Sequence, residues 1–134
     1  MKDTAPYIAT PQPNPEWSPQ DVIRLQVAAL QHNDDPVPDT GIRAAWAFAS
    51  PGNRAATGPL ERFATMVKNP LYRPMLHHQH AAYGEIQING NRAGQEVTLL
   101  DESGAFIGYI FVLSRQTGGL YAGCWMTDGV RRVG

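Results

Sequence analysis

Residues 105–128 read AFIGYIFVLSRQTGGLYAGCWMTD. Two runs rich in β-branched and aromatic side chains are divided at Thr117-Gly118-Gly119, which supplies the positive φ angles that a short reversal needs. Working towards the N-terminus, Glu102-Ser103-Gly104 and Asn89-Gly90-Asn91 mark two more reversals. The pattern predicts a four-stranded antiparallel meander near 77–88, 92–101, 105–116 and 120–128. With the last turn at Gly118-Gly119, Leu113 pairs with Cys124, Phe111 with Met126 and Tyr109 with Asp128, all on one face. Ile110, Val112, Tyr121 and Trp125 fall on the other. Both faces are then apolar, whereas a sheet wetted on one side alternates between apolar and polar residues. Helices cover the first face. The second is expected to meet another copy of the chain, giving a homodimer through Ile110, Val112, Tyr121 and Trp125. A tail folded back over that face is the alternative.

The period changes upstream of the meander. Residues 1–17 are rich in proline and read as an extended tail, since proline lacks the backbone donor that regular elements use. Ser18 offers an N-cap oxygen, Pro19 occupies the first helical position, and Asp21 stands three residues after the cap. Val22, Ile23, Val27 and Leu30 form the apolar stripe of a helix ending near His32-Asn33. Asp39 or Thr40 is expected to cap a second helix carrying Ile42, Ala45, Trp46 and Ala49, stopped by Ser50-Pro51-Gly52. A third begins at Thr57-Gly58-Pro59 and presents Leu60, Phe63, Ala64 and Val67 before Asn69-Pro70. The layout is α+β: a tail over 1–17, then one domain over 18–134 with three helices packed on the sheet.

Composition narrows the partners. Eleven basic residues face twelve acidic ones for a net charge of −1, with no Lys/Arg cluster of the kind a phosphate backbone demands, so no nucleic acid is expected. No apolar run approaches the ~20 residues that span a bilayer, and residues 1–17 lack the apolar centre of a secretory signal. No membrane partner is expected, and the expected location is the cytoplasm. A single cysteine, Cys124, fits a reducing compartment.

Several strings carry a resemblance. They are the segment from Ser18-Pro19 through Gln31-His32-Asn33-Asp34, Phe48-Ala49-Ser50-Pro51-Gly52-Asn53-Arg54, Thr57-Gly58-Pro59-Leu60-Glu61-Arg62-Phe63, and Gly123-Cys124-Trp125-Met126-Thr127-Asp128. Over about 18–130 the chain resembles an uncharacterised family of domains of unknown function, itself similar to the nuclear transport factor 2-like, or cystatin-like, superfamily. That resemblance implies a cone in which a curved sheet wraps a long helix and encloses a pocket. The superfamily holds isomerases, dehydratases, cyclases, ligand carriers and association modules, so it implies architecture and not chemistry.

Candidate chemistry is sparse. Tyr109 opposite Asp128 could polarise a carbonyl or move a proton if the carboxyl lay in an apolar cavity; against this, an Asp followed by Gly129 commonly accepts backbone N–H groups in a turn. His78 and His80 share a strand face and could join that pair or present two imidazoles to a metal, but no further ligand stands nearby and no metal is expected. Cys124 reads as a small buried hydrophobe because nothing lowers its pKa. Trp46, Phe63, Phe111, Cys124 and Met126 are the expected lining of a ligand pocket. Arg54 and Arg62 are expected to anchor their loop to Asp34, Asp35 or Asp39. No phosphate loop, HExxH or GxSxG string occurs. The leading expectation is a non-catalytic, cofactor-free dimeric domain that binds a small apolar ligand or a protein partner. The alternative is a cofactor-independent isomerase, dehydratase or cyclase using Tyr109, Asp128 and a histidine.

Overall fold

Ser18 caps the first helix reciprocally: its Oγ accepts from Asp21 N and its own N–H donates to Asp21 Oδ2, both at 3.0 Å. In the computed structural model, which describes residues 11–133, α1 therefore spans Pro19–Gln31. Its buried side includes Val22, Ile23, Gln26, Val27 and Leu30. Four of these follow the expected stripe, and Gln26 is a polar residue within it. Of the expected tail, residues 1–10 lie outside the described residues. Within 11–17, Trp17 N donates to Asn14 O, and the Trp17 ring lies 5.7 Å from that of Phe48.

The second helix, α2, spans Thr40–Ala47 and crosses α1 without clearance. A Cβ on Gly41 would sit 2.0 Å from Ala29 O, so only glycine fits. The fully buried Asn33 fastens the crossing, its Oδ1 accepting from Ile42 N at 2.8 Å and its carbonyl from Gly41 N at 2.9 Å. Asp39 does not cap α2 with its side chain, contrary to expectation; it accepts from Lys68 Nζ at 2.8 Å.

Ser50-Pro51-Gly52 starts a helix as well as stopping one. Ser50 Oγ accepts from Asn53 N and Pro51 takes the first helical position, so α3 forms over Pro51–Thr57, where no helix was predicted. The described residues thus hold four α-helices, the fourth, α4, spanning Leu60–Val67.

The sheet is antiparallel, with five strands rather than four. The predicted first strand is divided into β1 (His80–Tyr83) and β2 (Gln87–Asn89), both paired with β3 (Arg92–Leu100). The chain slips by one residue between Gly84 and Gln87, and the Gly84 carbonyl accepts from the buried Gln95 side chain at 2.7 Å. β4 (Phe106–Arg115) joins β3 to β5 (Trp125–Val133). Along β4, Tyr109, Phe111 and Leu113 are buried while Ile110 and Val112 are half-buried. The buried side packs on the helices in one core with Val22, Ile23, Val27, Leu30, Val97 and Leu99. Each such aliphatic side chain contributes about 1.5–3 kcal/mol relative to exposure.

The last hairpin departs most from expectation. The tight turn at Gly118-Gly119 is a longer loop, closed by Gln116 N to Cys124 O and Gly123 N to Gln116 O. Gly119 and Gly123 adopt φ of 78° and 85° within it. Leu113 consequently faces Thr127, Phe111 faces Val130 and Tyr109 faces Arg132, in place of Cys124, Met126 and Asp128. Between Thr127 and Gly129 the register shifts, and Asp128 is the bulged residue. Trp125 belongs to the core and is 8% exposed, so it is not part of an open outer face. Tyr121 lies in the loop beside Arg54. The outer side of the central strands presents Phe106, Ile110 and Val112 with Val133.

Candidate functional site

Where α2 passes into α3, the backbone runs alongside β5 as an extra bridge, Ala49 against Thr127. Ser50 N donates to Thr127 O and Thr127 N to Phe48 O, at 2.9 and 2.8 Å. α3 then leans over the gap between helices and sheet, tied by Asn53 Nδ2 to Thr127 O at 3.0 Å. Beneath it lies a cavity of about 430 Å³. Leu30, Ala45, Phe63, Met66, Val67, Met75, Phe111 and Val130 supply its apolar lining, and Gln26, Ser50, Asn53, Thr57 and Thr127 its polar side.

Apart from Asp128 at the rim, the polar side is neutral and largely committed to itself. Thr57 Oγ1 donates to Asn53 O at 2.8 Å. Gln26 Nε2 donates to Thr127 Oγ1 at 2.6 Å and to Val22 O at 3.2 Å. Two titratable residues touch the cavity, and both are engaged. Tyr72 OH donates to Val130 O at 2.8 Å. Asp128, bulged at the rim and exposed, accepts from Ser114 Oγ at 3.0 Å.

Of the expected pocket residues, Phe63 and Phe111 line the cavity. Trp46 does not; it packs against Phe63, ring centroids 5.1 Å apart, and takes the Arg54 guanidinium at 5.5 Å. Cys124 and Met126 are buried but lie outside it, because the longer loop carries them past the strand positions they were assigned.

The four candidate catalytic side chains are not gathered. Tyr109 OH donates to Leu71 O at 2.8 Å, and burial pushes its pKa up to about 12, so the phenol stays protonated at neutral pH. His78 is buried before β1, where Nδ1 donates to Met75 O at 2.8 Å. Burial lowers its pKa below 6.5, so it is neutral near pH 7. His80 is exposed at the start of β1. Burial also raises the Cys124 thiol, which disfavours the nucleophilic thiolate. Among the described residues, no three His, Cys, Asp or Glu side chains group as a metal site.

The expected arginine anchors also differ. Asp39 pairs with Lys68, and Asp34 accepts from His77 Nε2 at 2.7 Å. Arg54 instead lies between the Trp46 and Tyr121 rings, 5.5 Å from each, and donates to Ala47 O.

The family model described as a domain of unknown function, DUF4864, matches residues 15–133, from just before α1 to the end of β5. The chain belongs to the DUF4864 family. No curated protein and no solved structure matches it. The DUF4864 match spans every described helix and strand, including all the residues that line the cavity. Among those described residues, no helix is long and apolar enough to cross a membrane.

Proposed function

We propose that this DUF4864 domain binds a small apolar molecule in the cavity between its helices and sheet, without catalysing a reaction on it. The observation that carries the reading is the cavity itself: about 430 Å³, lined mostly by aliphatic, aromatic and methionine side chains, with a few neutral polar groups on one side and the Asp128 carboxylate at the rim. Volumes of ~300–1,000 Å³ with that lining are typical of small-molecule sites. A catalytic pocket needs titratable groups converging within hydrogen-bond reach of a substrate. Here Tyr72 and Asp128 are each turned to a protein partner, and Tyr109, His78 and His80 lie elsewhere. We read the helices over a sheet with a pocket between them as a nuclear transport factor 2-like cone, the architecture the sequence resemblance implies.

Fluorescence of N-phenyl-1-naphthylamine, which brightens on entering an apolar site, tests the reading. The wild type is expected to bind it. Ala56→Trp and Met66→Trp, which fill the cavity from α3 and α4, are expected to weaken binding at least tenfold, since a filled pocket excludes the probe. A wild-type chain that leaves the probe dark, or two variants that bind it unchanged, contradicts the reading.

The outer sheet face supports a second, compatible reading, association of two copies. Phe106 is 78% exposed and Val133 39%, beside half-buried Ile110 and Val112. Glu96 and Arg131 both pair with Ile110, one from each neighbouring strand, and both are exposed. A twofold axis along β4 sets Glu96 of a second copy over Arg131, and the reverse, so the face is complementary to itself.

A further inference from the structure

We propose that the ligand of this cavity is an uncharged molecule with an apolar body and a hydroxyl head, the hydroxyl held between Gln26 and Thr127. The inference rests on the cavity being a ligand site and adds the chemistry of its polar end. Gln26 is 3% exposed and sits within the apolar stripe of α1, where a polar side chain is costly unless its groups are used. Its nitrogen is used twice, towards Thr127 Oγ1 and Val22 O. The assignment of nitrogen and oxygen is fixed by Val22, because a carbonyl only accepts and must face the N–H₂.

Gln26 Oε1 accepts nothing from the described residues. It is also not among the orphaned polar atoms sealed wholly within protein, such as Gln95 Oε1. The open surface next to Gln26 is the cavity that it lines. Thr127 is likewise 3% exposed, and its Oγ1 serves as acceptor to Gln26, which leaves the hydroxyl proton without an acceptor. One acceptor and one donor thus stand side by side on neighbouring elements, 101 residues apart in sequence.

A hydroxyl answers both with a single oxygen, donating to Gln26 Oε1 and accepting from Thr127. A carboxylate brings only acceptors, so it opposes Gln26 Oε1, and no Lys, Arg or His lines the cavity to balance its charge. An ether leaves Gln26 Oε1 unmet. An ammonium has no acceptor for the Thr127 proton.

Displacement of N-phenyl-1-naphthylamine from the full chain by four matched probes at pH 8 separates these cases: 1-decanol, decyl methyl ether, decanoate and decylammonium. Decanol is expected to bind at least about tenfold tighter than each of the others, the factor for leaving a buried acceptor unpaired. Gln26→Met, which keeps the volume, is expected to abolish the preference of alcohol over ether, because no acceptor is then left for the ether to bury unpaired. If Gln26→Met does not fold, Thr127→Val against Thr127→Ser tests the other half of the site: the valine is expected to narrow the preference of decanol over decylammonium, and the serine, which keeps the hydroxyl, to retain it. Four probes of equal affinity, or a preference for decanoate or decylammonium, overturn the hydroxyl assignment and leave the cavity as a ligand site. Failure of all four to displace the fluorophore overturns the cavity reading and this inference with it.

Discussion

His78 and Gln26 are both polar and both buried, and they are used in opposite ways. His78 has its Nδ1 proton placed on Met75 O, and desolvation, the largest influence on it, disfavours the charged ring; the Met75 bond opposes this, and His32 and His80 reinforce it. The sign of the pH dependence follows. Above pH 6.5 the ring is neutral in both the folded and unfolded chain, and the stability it contributes is complete. Below 6.5 the unfolded chain takes up the proton first, so stability falls with pH until the lower folded pKa is passed. Urea denaturation at pH 7.5 and pH 5 is expected to show a loss in the wild type that is smaller in His78→Asn, whose amide also donates to Met75 O. Equal losses in the two proteins would refute the assignment. Gln26, by contrast, is left half-used. Its position within the α1 stripe was visible in the sequence, as a polar residue between Ile23 and Leu30, but periodicity alone draws attention to the apolar residues around it.

Among the elements, α3 is the least supported by packing and the most involved in the cavity. None of its seven residues is fully buried; it is held by the Ser50 cap, by Asn53 to Thr127 O, and by Arg54 under the Trp46 ring. Ser50→Ala is expected to cost about 1 kcal/mol in urea denaturation, the usual worth of an N-cap. It should also weaken probe binding, because Asn53 and Ala56 on α3 form part of the cavity wall. Ser50→Thr, which retains the capping oxygen, is expected to recover both. Full probe affinity in Ser50→Ala would show that α3 does not shape the site. The element was missed because Ser-Pro-Gly after an alanine-rich helix reads as a stop, although Ser50-Pro51 repeats the start signature of Ser18-Pro19. The final hairpin was misread for a related reason. Gly118-Gly119 is a strong reversal signal, but the loop closes at Gln116 and Cys124, and Gly123, which falls inside the expected strand, has a φ of 85° that makes it part of the loop. That moved every expected partner in β5 and parted Tyr109 from Asp128.

At the scale of the molecule, the α+β order, the helices on one sheet face and the core stripe of α1 were legible, because they follow from period and caps over long segments. The cavity was legible only in Phe63, Phe111 and Asp128, since the rest of its polar side is assembled by α3 and by the true register of β5. Burial of Trp125 also changes how association is tested. Ile110→Asp, on the outer face, is expected to give a monomer in sedimentation where the wild type gives a dimer, and a wild type that sediments as a monomer would remove the interface. The central claim is that a small apolar molecule sits between helices and sheet. Its most direct measurement is a set of nuclear Overhauser contacts between bound 1-decanol and the methyl groups of the protein. The account predicts contacts from the alkyl chain to Met66, Met75 and Val130. Contacts to Ile110 and Val112 on the outer sheet face in their place, or none at saturating ligand, would contradict it.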